Sequence, residues 1–135
     1  MNRLIEHLKS IDNLLFVGNI EEELIEESEN RLGLKFAEEY HNYVKEYGVI
    51  SFSSHELTGI CNLQRLNVVD VTLREKEQVE VPEDFYVVEE TGIDGIVIWQ
   101  NTAGEIFATQ SGLETVKISD SLVDYLTDNE VAEAN

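Results

Sequence analysis

The sequence predicts an α+β domain in which N-terminal helices and a short C-terminal helix pack on a mainly antiparallel sheet. Three observations lead there. Up to about residue 48 the apolar side chains recur at helical spacing; from Val49 onward they fall into short β-branched and aromatic runs broken by Gly, Asn and Asp; and a last helical stripe closes the chain at 122–126. Short consecutive strands joined by tight turns must pair antiparallel, because a parallel crossover takes a dozen or more residues. With no repeat, low-complexity linker or second core signal, 1–135 reads as a single domain.

Leu4, Leu8, Ile11 and Leu15 stand at i, i+4, i+7 and i+11, predicting an amphipathic helix from about residue 2 that Phe16, Val17 and Gly18 interrupt. Asn19 followed three residues later by Glu22 has the form of a capping box, so a second helix is expected over 20–32. Its apolar positions are Ile20, Leu24, Ile25 and Leu32, and Gly33 supplies the left-handed residue that ends it. Glu21, Glu22 and Glu23 lie in its first turn, near the positive end of the helix dipole, and Glu26, Glu27 and Glu29 continue the polar side. Phe36, Tyr40, Tyr43, Val44 and Tyr47 form the clearest helical stripe in the chain, an aromatic core face closed by Gly48.

"FYVVEE", "GIVIWQ", "GEIFAT" and "ETVKIS" are the strand candidates, with "TGIDG" and "NTAG" as hairpin turns between them. Alternation along "GIVIWQ" puts Ile96, Ile98 and Gln100 on one face and Val97 and Trp99 on the other, with Trp99 packed between sheet and helices. "NVVDVTLREKEQV" carries strand-like β-branching, but Asn67 with Asp70 three residues on favours a capped helix, which Pro82 follows. Ser119 is the expected cap of the last helix, whose apolar positions are Leu122, Val123 and Leu126; the polar end, about 128–135, is expected to fray.

Charge sets the first functional boundary. Twenty-eight acidic residues against nine basic ones leave a formal net charge of −19. Such a field repels a polyanion and no Lys/Arg cluster offsets it, so direct nucleic-acid binding is not expected, whereas a basic partner would be attracted. Cys61 is the one cysteine, which excludes an intramolecular disulfide or a Cys-x-x-Cys site. Residues 1–10 do not form a signal peptide and no apolar run is long enough to span a bilayer, so a cytoplasmic protein without membrane attachment is expected.

No catalytic constellation stands out. His7, His41 and His55 are far apart; "SFSSHE" reads as an exposed polar loop without a nucleophile elbow, and Cys61 as a small buried hydrophobe. Asp70, Asp84, Glu89, Glu90 and Asp94 could include an acid/base pair, yet no spacing singles out two of them. Neither metal-ligand spacing nor a Gly-rich phosphate loop is present, and no cofactor is expected. The reading is of a protein without enzymatic activity.

"GNIEEELIEESENRLGLKFAEEYHNYVKEYG" resembles the signature segment of the SUKH superfamily, which groups yeast cell-wall-synthesis regulators with bacterial immunity proteins. Members show a glycine before a capped helix, a Glu within it, Leu-Gly, a Leu-Pro helix start, a Tyr, and a Tyr-Gly or Asn-Gly end. Here those places are similar to Gly18, Glu29, Leu32 with Gly33, Tyr40, and Tyr47 with Gly48. Phe36-Ala37 replaces the Leu-Pro, which softens the helix start without changing the fold expected. "HELTGI", "NVVDVTLRE", "VPEDFYVVEETGIDG" and "SDSLVDYL" follow in matching order, so the resemblance spans nearly the whole chain.

The resemblance implies a binding protein: a cytosolic antitoxin that neutralises a cognate toxin effector domain, commonly a nuclease, or alternatively a regulatory or scaffolding module like the yeast members. An acidic surface suits the cationic cleft of a nuclease. Glu22, Glu23, Glu26 and Glu27 form one candidate surface; Asp84, Glu89, Glu90 and Asp94, on the sheet side, form a competing one. Glu29 stands apart, its place one turn before Leu32 and Gly33 implying a structural role.

Overall fold

The structure is a computed structural model describing residues 3–53 and 55–134, of which 129–134 by their backbone only. Among the described residues the elements run α1 (Arg3–Lys9), β1 (Leu15–Phe16), α2 (Glu22–Leu32), α3 (Glu38–Tyr47), β2 (Ile50–Phe52), β3 (His55–Leu57), α4 (Val68–Lys76), β4 (Tyr86–Glu90), β5 (Val97–Gln100), β6 (Ile106–Thr109), β7 (Val116–Ser119) and α5 (Leu122–Ala134). The seven strands form one sheet in chain order, every neighbouring pair antiparallel. The fold is therefore the α+β class read from the sequence.

The sheet is buried on both faces over its centre, and alternation explains how. Tyr86, Val88, Ile98 and Ile106 join the main core with Leu4 and Leu8 of α1, Tyr40, Tyr43 and Val44 of α3, and Leu122 and Leu126 of α5. Val87, Val97 and Trp99 point the other way, into a smaller core completed by Val71 of α4 and Phe85. Trp99 is fully buried there, and its indole N–H donates to Thr109 Oγ1 at 2.8 Å.

The aromatic stripe of α3 meets the sheet edge-on. Phe36 and Tyr40 lie 4.8 and 4.9 Å from the Tyr86 ring, and each buried hydroxyl finds a partner. Tyr40 shares a hydrogen bond with Thr58 Oγ1, Tyr43 donates to the Thr58 carbonyl, and Tyr86 donates to Gln100 Oε1 while accepting the Ala37 N–H. Burial pushes all three phenols well up from their usual range, so they remain donors.

Glycine decides one crossing. Gly59 follows β3 where the chain passes over Gly48, and a Cβ there would lie 1.6 Å from the Gly48 carbonyl oxygen. Beyond it the Ile60 N–H donates to that same oxygen, and a parallel bridge joins Gly59 to Asn67. Residues 60–66 are thereby held beside the 17–20 segment, itself anchored by bonds from Val17 and Gly18 to Tyr47 O and from Ile20 to Lys45 O.

Several local expectations are corrected. The first helix ends at Lys9, and Leu15 belongs instead to β1, an edge strand that leaves it exposed. Asn19 does not cap α2: Glu21 occupies the cap position without a side-chain cap bond. The buried side of α2 is Ile25, Ser28 and Glu29, while Leu24 faces out. Within "SFSSHE", Ser51 and Phe52 belong to β2 and His55 and Glu56 to β3, which pair antiparallel and bury His55, while Ser54 lies outside the described residues. The cap of α5 is Ser121, whose Oγ accepts the Asp124 N–H, two residues beyond Ser119. Cys61 is half-buried, with its thiol on the Leu63 carbonyl. Other expectations hold: Gly33 adopts the left-handed conformation that ends α2, and Asn67 Oδ1 accepts the Val69 and Asp70 N–H groups to start α4.

Candidate partner-binding surface

The four candidate glutamates of α2, Glu22, Glu23, Glu26 and Glu27, do not share one environment. Glu22 turns toward α3, where one carboxylate oxygen bonds His41 Nε2 and the other lies 3.8 Å from Lys45 Nζ. The His41 hydrogen bond, with the charge of Lys45 behind it, holds this carboxyl below its usual range. Glu23, Glu26 and Glu27 are exposed, and among the described residues none of the three forms an ion pair within 4 Å. Helical spacing puts Glu22 over Glu26 and Glu23 over Glu27, two like-charge i,i+4 pairs that work against the helix. The first-turn dipole offsets part of this for Glu22 and Glu23. Glu29 belongs to the interior: it is buried, and its carboxylate accepts the Phe36 N–H at 2.8 Å, fixing the turn between α2 and α3.

The competing set on the sheet side is dispersed. Glu89 is only 3% exposed and is removed from any surface. Its Oε1 accepts the Tyr125 hydroxyl at 2.6 Å and lies 3.1 Å from His55 Nδ1, while Oε2 accepts the Glu56 N–H at 2.9 Å. Glu90 is held by Arg74, whose Nη2 is 2.9 Å from both carboxylate oxygens. Asp84 is half-buried and accepts the Thr102 N–H; Asp94 sits exposed in the β4–β5 turn at positive φ. Asp84 lies in the turn before β4 and Glu90 at the far end of that strand, whose rise alone is about 13 Å.

Beside the acidic face of α2 runs a groove of about 580 Å³, which charge reading along the sequence did not reveal. One wall is Val17, Ile20 and Leu24; the other is Ile60, Leu63 and Leu66, with Cys61 between them and Glu27, Ser28 and Arg31 along the α2 side. Val17, Leu24 and Leu63 are 60%, 44% and 56% exposed, and Leu15 and Phe16 on the neighbouring edge strand are exposed as well. Contiguous exposed apolar surface with a charged rim is the ordinary mark of a protein-binding site. The available signal in the sequence was Glu29: once it is placed inside, helical spacing sends Leu24 outward.

A second cleft, about 610 Å³, lies between α1, α3 and the start of α5, but it is polar and its central carboxylate is already engaged. Glu39 accepts the Leu122 and Val123 N–H groups and so caps α5 from another helix. Among the described residues no group of three or more His, Cys, Asp or Glu is placed to hold a metal ion, and no helix is long and apolar enough to cross a membrane.

Comparison with known families supplies the identification. The family model SUKH_5, described as SMI1-KNR4 cell-wall, matches residues 1–131. The chain belongs to this SUKH family. Membership places it in the class of SMI1-KNR4-like and immunity proteins, in line with the resemblance read from the segment 18–48. No curated protein matches the chain.

Proposed function

We propose that this SUKH protein is a non-enzymatic immunity protein of the cytoplasm, which binds and neutralises a cognate bacterial toxin effector domain with a basic, nuclease-type surface. The observation that carries the reading is the outer face of α2: Glu23, Glu26 and Glu27 are exposed, follow one another with like charge, and among the described residues form no ion pair within 4 Å. A helix arranged for its own stability would intersperse lysines there; a cationic partner relieves the repulsion on binding. Family membership and the net charge of −19 support the same reading.

Co-expression tests it. The effector domain encoded by the gene directly upstream should arrest growth alone and be tolerated when this chain is co-produced. Arrest unchanged by co-production would overturn the antitoxin reading. It would favour the second reading, a regulatory or scaffolding module, to which the cell-wall description of the matching family points; that module predicts several weaker partners instead of one tight one.

A further inference from the structure

We infer that the groove between α2 and residues 60–66 receives an apolar anchor from a cationic, amphipathic segment of the partner: a leucine-sized side chain seats between Leu24 and Leu63, and flanking lysines or arginines meet Glu23 and Glu27. The inference rests on the proposed reading only in taking the partner as basic, and it adds what acidic charge alone does not supply, a site of defined depth and chemistry.

Geometry and charge argue for this occupant together. The groove volume lies within the range of preformed ligand sites, and its two walls are apolar side chains held rigidly by backbone, the 17–20 segment on Tyr47 and Lys45 and the 60–66 segment on Gly48 through Gly59. Leu24, Glu27, Ser28 and Arg31 lie on one helical stripe of α2 along the groove, and Glu23 falls beside Glu27 one turn earlier. A purely apolar ligand would leave the glutamates to repel one another, and an anionic one would meet them directly; a segment carrying cations beside an apolar anchor satisfies both parts of the rim. Arg31, at the far end, also limits where those cations can lie. Interfaces of this kind draw most of their affinity from a few anchors in desolvated pockets, with rim charges setting rate and register.

Cys61, the single cysteine, lines the groove and reports on its occupancy. The probe is a short acetylated and amidated peptide of alternating leucine and lysine pairs, compared with the same peptide carrying alanine for leucine. The leucine peptide should bind at least about tenfold more tightly, slow the reaction of Cys61 with a thiol reagent severalfold, and lose its advantage in Leu63→Asp, an exposed position where the change leaves the core untouched. Equal binding of both peptides, binding of neither, unchanged Cys61 reactivity, or a leucine advantage that survives Leu63→Asp would each overturn the groove. Failure of the groove is distinguishable from failure of the immunity reading: Leu63→Asp would then still protect cells from the effector.

Discussion

Glu89 sits where the two halves of the sheet meet, and it shows how much one side chain carries. Among the described residues β3 and β4 pair at Leu57 with Glu89, the Thr58 N–H donates to Val88 O just beyond, and side chains add to this short seam. The Glu89 carboxylate gathers His55 and the Glu56 N–H from β3 and the Tyr125 hydroxyl from α5, while Thr58 Oγ1 donates to Val87 O across the same seam. Removing the carboxylate breaks three hydrogen bonds at once, two of them buried. Glu89→Ala should destabilise the protein by about 3–5 kcal/mol in urea unfolding, and Glu89→Gln, which keeps an acceptor, by less. An unchanged alanine-variant midpoint would show that the seam holds without it. Sequence placed this residue in a surface patch because alternation and charge say nothing of a histidine 34 positions earlier. Glu29 was placed correctly by family resemblance, and its bond to the Phe36 N–H gives the physical reason.

Elements were legible in proportion to how local their signals are. The α3 stripe, the Gly33 stop and the Asn67 cap are each set within a few residues, and the structure contains all three. β1, β2 and β3 are two or three residues long and owe their existence to pairing with one another, which periodicity does not register. The α4–β4 contact adds a feature no motif announces. Hydrogen bonding to Glu90, then burial, pushes the Glu75 carboxyl up to about 7; Glu90, raised by burial, is nonetheless held low overall by Glu75 and Arg74. Because the folded pKa of Glu75 lies above its usual 4.5, folding takes up a proton between those values. The contribution is full below 4.5 and lost as pH rises to about 7. Glu75→Gln should therefore flatten the fall in melting temperature between about pH 5 and pH 7, leaving lower pH little changed. Parallel melting curves for wild type and variant across that window would contradict the pairing.

At the scale of the molecule, the acidic surplus and the groove form one account. The excess of 28 acidic over 9 basic residues was plain in the sequence, and so was its consequence that a partner should be basic. Which acids face outward was not, since that depends on how α2 rolls against α3 and α4: Glu22 went to His41, Glu29 to the interior, and Glu23, Glu26 and Glu27 to solvent beside an apolar cleft. The direct measurement is calorimetric titration of the effector domain encoded upstream, its catalytic residue replaced, into this protein and into a variant with Glu23→Lys, Glu26→Lys and Glu27→Lys, at low and moderate salt. The account predicts a 1:1 complex in about the nanomolar range that weakens with salt and loses at least about thirtyfold in the variant, whose spared Glu22 keeps α2 tied to α3. No complex, or one indifferent to those three reversals, would contradict it.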